Sequence, residues 1–152
     1  MPVTFAQYRY LVLADLFRYT GRCDRATLWR QLTRGESYKF VFWMRTCRFT
    51  RGHGLLRWLV YPLARFMWRH YRYKFGIVVP FTMDIGPGFY IGHFGTIVLA
   101  AKAVLGRNIN ISQGVTVGLI NRGKRQGVPV IGDNVYLGPG VKIAGAITIG
   151  SN

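Results

Sequence analysis

Residues 85–118 read IGPGFYIGHFGTIVLAAKAVLGRNINISQGVTVG, and residues 129–145 read PVIGDNVYLGPGVKIAG. Through both stretches an aliphatic residue followed by a small one returns at six-residue intervals: Ile85-Gly86, Ile91-Gly92, Leu105-Gly106, Ile111-Ser112, Val117-Gly118, Ile131-Gly132, Leu137-Gly138, Ile143-Ala144 and Ile149-Gly150. A second apolar residue often stands two places earlier, as at Ile109, Val115, Val135, Val141 and Ile147. This period matches neither the 3.6 of an amphipathic helix nor the simple alternation of long strands. It predicts a solenoid of short straight segments with a tight turn every six residues, each coil burying its apolar residues against its neighbours. Small residues at the turns let adjacent coils approach closely.

The period breaks twice. Two extra residues are expected between Ile97 and Leu105. A longer interruption spans residues 119–130 and contains Asn121, Arg122, Gly123, Lys124, Arg125, Gln126 and Gly127. This polar stretch must leave the solenoid as an extruded loop, and loops held on rigid scaffolds often carry function.

Charge and aromatic content mark a boundary near Gly76. Residues 1–75 hold 15 Lys and Arg against 3 Asp and Glu, whereas residues 76–152 hold 6 against 2; 18 of the 23 aromatic residues precede Gly76. The expected architecture is therefore α+β: a basic, aromatic helical region at 1–75, then a repeat domain at 76–152. A basic first half suits nucleic acid, an anionic membrane surface, or a solvated helical face. No zinc-finger, RRM, KH or basic-zipper pattern appears, so no nucleic-acid partner is expected. Cys23 and Cys47 lack metal-ligand spacing and read as unpaired thiols of a reducing compartment. The first residues lack the basic start and apolar run of a signal peptide.

Within the first half, Thr4 and Gln7 form a candidate capping box. Phe5, Tyr8, Val12, Leu16 and Tyr19 follow at helical spacing, with Gly21 as the stop. Asp24 is placed to cap a second helix bearing Leu28, Trp29 and Leu32, and Phe40, Trp43, Met44 and Cys47 mark a third. Residues 51–54 read as a loop. Residues 55–74 interleave Leu55, Trp58, Leu59, Leu63, Phe66 and Trp68 with Arg57, Arg65, Arg69 and Arg72, and Pro62 should bend or divide this helix. The mixture suits a helix lying in a membrane interface, and equally one packed on protein. The arginines interrupt the stretch well short of the roughly 20 apolar residues a membrane span needs.

The two stretches quoted at the outset resemble the hexapeptide-repeat acyltransferases, and within them the serine O-acetyltransferase branch with its neighbouring surface-polysaccharide O-acetyltransferases. The resemblance covers about half the chain. It implies a left-handed parallel β-helix with three hexads per coil, a homotrimer, and acetyl-CoA as co-substrate. No metal is expected, because His53, His70 and His93 are scattered with no nearby carboxylate pair. The histidine matching His93 is the family's general base. The family's CoA groove runs between subunits and touches positions matching Gly118, Leu119, Gly138 and Pro139, and Lys124 and Arg125 are candidates to meet the nucleotide phosphates. The family normally continues for further coils, so the chain is expected to be truncated at its C-terminus.

Some family positions are changed. The aspartate that orients the histidine in serine acetyltransferases falls at Val78, and the aspartate directly preceding that histidine falls at Gly92. The Arg-His pair that grips the amino-acid acceptor falls at Gly127 and Val128. Asp84 is the nearest carboxylate in sequence to His93, half a coil away, and is expected to point elsewhere. A site stripped of the groups that pair a carboxylate cannot keep its preference for it. The expectation is therefore an O-acetyltransferase acting on a sugar hydroxyl of a surface polysaccharide or lipid-linked glycan, with peripheral membrane contact through residues 55–74 and a cytoplasmic location. Serine is the alternative acceptor, and a non-catalytic trimeric scaffold at the membrane is the alternative from a different class.

Overall fold

The structure, a computed structural model, describes residues 3–152. Among the described residues five helices come first: α1 (Phe5–Thr20), α2 (Arg25–Thr33), α3 (Ser37–Arg51), α4 (Gly54–Leu59) and α5 (Tyr61–Phe75). Local chemistry sets several of their ends. Thr4 accepts from the Gln7 N–H while the Gln7 side chain accepts from the Thr4 N–H, a complete capping box. Gly21 ends α1 in the left-handed region at φ 68°. Asp24 caps α2 by accepting from the Thr27 N–H at 2.8 Å. Pro62 falls in the first turn of α5, where its missing N–H costs nothing, and so separates α4 from α5.

Eleven short strands follow: β1 (Ile77–Val78), β2 (Asp84–Ile85), β3 (Tyr90–Ile91), β4 (Ile97–Leu99), β5 (Val104–Leu105), β6 (Asn110–Ile111), β7 (Thr116–Gly118), β8 (Val130–Ile131), β9 (Tyr136–Leu137), β10 (Lys142–Ala144) and β11 (Thr148–Ile149). All pairings between them are parallel. They stack into three walls, β1-β4-β7-β10, β2-β5-β8-β11 and β3-β6-β9, so the chain visits each wall once per coil. Together with the helices this is an α+β architecture ending in a parallel β-solenoid.

Register locates the irregularities. Leu99 pairs with Val117, and Val98 with Thr116. The inward residues of successive segments are therefore Val79, Ile85, Ile91, Leu99, Leu105, Ile111, Val117, Ile131, Leu137 and Ile143, all buried. Six residues separate Leu99 from Leu105, and eight separate Ile91 from Leu99. The two extra residues thus lie before Leu99, at the corner carrying His93, and not after Ile97 as the sequence period suggested. Ile97 and Leu99 are both buried, so a count of aliphatic residues had no means of choosing between them. Residues 119–129 leave at a different corner, between the first and second walls. They fold back on themselves, with Ile120 and Gly127 exchanging both backbone hydrogen bonds at 2.9 and 3.0 Å.

A third corner stacks Gly88, Asn108, Asn134 and Asn152, all at positive φ. The Asn108 amide donates to Asn134 Oδ1 and the Asn134 amide to Asn152 Oδ1, each at 3.0 Å. Asparagine tolerates the left-handed region because its short side chain finds local hydrogen bonds there. In the same turns a Cβ on Gly86 would meet the Gly106 carbonyl oxygen of the next coil at 2.5 Å, so glycine is required.

The helices close one end of the solenoid. Phe40, Val41, Met44, Cys47, Ala64, Trp68 and Phe75 form a single apolar cluster with the wall residues from Ile77 onward. Burial of such side chains contributes about 1.5–3 kcal/mol each. Two helical stripes differ from expectation. Trp29 is 70% exposed and the buried residue of α2 is Thr27, while Phe5 is also exposed. Helical spacing groups Phe5 and Trp29 with apolar neighbours but does not show how many sides of a helix find a partner.

Candidate active site at a solenoid corner

His93 stands between β3 and β4, with its side chain exposed. The two additional residues make this corner longer than those at Gln113 and Pro139 on the following coils. Gly95 and Thr96, at φ 118° and 52°, turn the chain back to the wall.

Both flanks of the corner are held. On the incoming side the Ile91 N–H donates to Tyr19 Oη at 2.9 Å, and Ser37 Oγ donates to the Ile91 carbonyl at 2.7 Å. Burial pushes the Tyr19 hydroxyl well above its ordinary pKa, so it stays protonated and also donates to the Ile91 carbonyl at 3.5 Å. The Tyr19 ring meets Tyr90 edge-on at 4.6 Å. On the outgoing side Phe75 packs on Phe94 at 4.6 Å, and the Ile97 N–H donates to the Gly76 carbonyl. The imidazole thus sits on a backbone tied to α1, α3 and the end of α5.

A deeper anchor supports the first coil. Arg45 Nε donates to Asp15 Oδ2 at 2.9 Å, and its terminal nitrogens donate to the carbonyls of Ile85 and Gly86 at 2.7 and 2.6 Å. Asp15 also accepts from the Phe89 N–H at 2.8 Å. Both side chains are almost fully buried. Asp15 is raised above the ordinary carboxylate range by burial, an effect that Arg45 and the backbone donors oppose. Charged groups at such a depth are tolerable only when paired and hydrogen-bonded, as these are.

Each of the four aspartates is engaged by an arginine: Asp15 by Arg45, Asp24 by Arg22, Asp84 by Arg48 and Asp133 by Arg107. Asp84 points to Arg48 at 3.3 Å, away from the His93 corner as expected. Val78 and Gly92 offer no carboxylate, and a Cβ at Gly92 would meet the Tyr90 ring at 3.2 Å. Among the described residues no group of three or more His, Cys, Asp and Glu could hold a metal.

The other candidate positions fall on two corners. Gly138 and Pro139 share the His93 edge, two coils along. Gly118 and Leu119 begin the other edge, from which the hairpin carries Lys124 and Arg125 outward, both exposed. The first wall separates the two groups within one chain. At Gly127 φ is 137°, and a Cβ would meet that of Ala146 at 2.9 Å, so the hairpin path has no room for a side chain there. Sequence periodicity shows Tyr19 only as a member of a helical stripe and gives no sign of Ser37 or Arg45, because each acts on a residue 40 or more positions away.

Comparison with known proteins bears on the sequence and the fold. No family model matches the chain. A serine acetyltransferase of Staphylococcus xylosus is 38% identical over 103 residues, covering 66% of this chain and 47% of the relative. Among solved structures, serine acetyltransferase isoform 3 of Entamoeba histolytica, in complex with cysteine, aligns with a TM-score of 0.68 at 28% identity, covering 97% of this chain and 51% of the other. The Neisseria gonorrhoeae serine acetyltransferase in complex with serine aligns with a TM-score of 0.66 at 27% identity, covering 95% and 57%. The chain spans about half the length of the relatives it matches. Sequence relatives and structural neighbours together support a serine O-acetyltransferase-like hexapeptide-repeat family for this chain.

Proposed function

We propose that the chain is an acetyl-CoA-dependent O-acetyltransferase with His93 as its general base. The neutral imidazole takes the proton of an acceptor hydroxyl, and the oxygen attacks the thioester carbonyl of acetyl-CoA. The tetrahedral intermediate then expels the CoA thiolate, which recovers the proton from the imidazolium. Backbone N–H groups at the solenoid turns are candidates to stabilise the oxyanion. The observation that carries this reading is His93 on a lengthened corner tethered on both flanks, the rigidity that positioning of two substrates requires.

In this reading CoA lies between subunits of a homotrimer of left-handed coils. One subunit supplies His93, Gly138 and Pro139, and its neighbour supplies Gly118, Leu119 and the Lys124-Arg125 hairpin, whose charges suit the nucleotide phosphates. The exposed apolar side chains of Val98, Val104 and Val130 are consistent with walls that face another subunit.

Serine is the first acceptor to consider, because the relatives named above are serine acetyltransferases. A sugar hydroxyl of a surface polysaccharide or lipid-linked glycan is the second. It is favoured by Val78, Gly92 and Val128, and by the crowded left-handed backbone at Gly127. A lipid-linked acceptor would bring the enzyme to the cytoplasmic face of a membrane.

The test compares wild type with His93→Ala, using acetyl-CoA and either L-serine or glycan acceptors. The variant is expected to lose roughly 10²–10⁴-fold in turnover while still binding CoA. Unchanged turnover would overturn the role of His93. Turnover with serine selects the first acceptor, and turnover with glycans alone selects the second.

A further inference from the structure

We propose that the outward face of α4 and α5 is a docking surface for an anionic lipid bilayer. Helix α4 buries none of its residues. Leu55, Trp58 and Leu59 all stand in solvent, Trp58 at 77% exposure. Helix α5 carries two apolar stripes. Ala64, Trp68 and Phe75 face the protein. Leu63, Phe66 and Tyr73, at spacings of three and seven, face outward, with Phe66 at 66% exposure. One inward stripe is all that packing on the solenoid requires. This second stripe and the exposed Leu55, Trp58 and Leu59 of α4 are more apolar surface than water-facing helices have reason to keep.

The surrounding charge is of a single sign. Arg57, Arg65 and Arg69 are exposed beside these side chains, and Arg69 stacks on the Tyr73 ring with its guanidinium 5.6 Å from the centroid. Between Glu36 and Asp84 the sequence contains no acidic residue. That pattern discriminates between occupants. A second copy meeting this face through its own would bring arginine against arginine with no carboxylate to neutralise them. A bilayer with anionic headgroups supplies the missing negative charge, lets the arginine stems lie along its surface, and receives Trp58 at headgroup depth. Among the described residues no helix is long and apolar enough to cross a membrane, so the contact is with the surface. The inference is independent of the transfer chemistry, because binding is read without either substrate.

The experiment is flotation of the full chain with vesicles of phosphatidylcholine alone and of phosphatidylcholine mixed with phosphatidylglycerol. Binding is expected only to the mixed vesicles, weakening as salt is raised. Tryptophan emission should shift to the blue on binding, and Trp58→Phe should remove most of that shift. Arg65→Gln with Arg69→Gln should weaken binding roughly thirtyfold, as expected for two surface arginines. Equal binding to both vesicle types, or none to either, overturns the proposal. So does a smaller oligomer on Leu63→Ser with Phe66→Ser without loss of vesicle binding, since the face would then belong to a second copy.

Discussion

Tyr19 and Ile91 are joined by a hydrogen bond in each direction: the Ile91 N–H donates to the Tyr19 hydroxyl at 2.9 Å, and that hydroxyl donates to the Ile91 carbonyl at 3.5 Å. Ile91 lies two residues before His93, so α1 grips the backbone that presents the imidazole. Ser37 adds a second hold on the same carbonyl from α3. Tyr19→Phe leaves a partly buried N–H unpaired and is expected to cost about 1–3 kcal/mol in stability. If His93 is the base, turnover should fall roughly tenfold or more at unchanged CoA affinity, because small displacements of a reacting group are expensive. Denaturant midpoints and a kcat-against-KM comparison check both parts. A loss of stability with turnover intact would leave Tyr19 a structural role only.

The Arg45–Asp15 pair should respond asymmetrically. Asp15→Ala strands a buried guanidinium and is expected to cost about 3–5 kcal/mol. The double substitution Asp15→Leu with Arg45→Met removes both charges and should recover part of that loss. It cannot recover all of it, because the carbonyls of Ile85 and Gly86 and the Phe89 N–H lose their partners. Urea unfolding of Asp15→Leu, Arg45→Met and the double variant measures the coupling. Additive losses would contradict the pairing.

Restoring the family's acceptor-gripping pair by Gly127→Arg with Val128→His should fail. The backbone at Gly127 adopts φ 137°, and Ala146 occupies the space a Cβ would need. The expected result is destabilisation of about 1–3 kcal/mol with no gain in serine turnover. A gain in serine turnover at unchanged stability would show that the hairpin adopts another path.

The two cysteines should differ sharply. Cys23 is exposed, whereas Cys47 is buried against the solenoid and burial pushes its thiol up to about 12. Only a thiolate reacts readily, so a disulfide reagent should modify Cys23 alone in the folded chain and both after denaturation. Equal labelling rates in the folded protein would mean that the α3 core opens readily.

Acid should loosen the asparagine corner. Asp133 is held below the ordinary carboxylate range, first by the Arg107 N–H at 2.7 Å and then by the Arg107 side chain. A carboxyl lowered in the folded state contributes stability above its unfolded pKa of about 3.9, and that contribution disappears as pH falls through the folded value. Thermal midpoints recorded from neutral to acid pH should therefore decline less steeply for Asp133→Asn than for wild type. Parallel curves would assign the acid sensitivity to other carboxyls, among them Asp24, which its α2 capping bond from Thr27 also lowers.

What the sequence alone determined is what depends on near neighbours. A residue pair returning every six positions announces the coil, because each turn repeats the same burial problem. Thr4, Asp24, Gly21 and Pro62 announce helix ends, because caps and breaks involve residues within a few positions. Gly106-Arg107-Asn108 and Gly132-Asp133-Asn134 carry the same kind of signal, a glycine two places before a left-handed asparagine. Tertiary structure alone decided where the two surplus residues sit, since Ile97 and Leu99 are equally suited to burial and only pairing with the next coil distinguishes them. It alone brought Tyr19, Ser37 and Arg45 to backbone atoms 72, 54 and 40 positions away. Periodicity records which side of a segment avoids water. The return of a distant helix to a particular carbonyl is set by packing of the whole chain, and no local pattern encodes it.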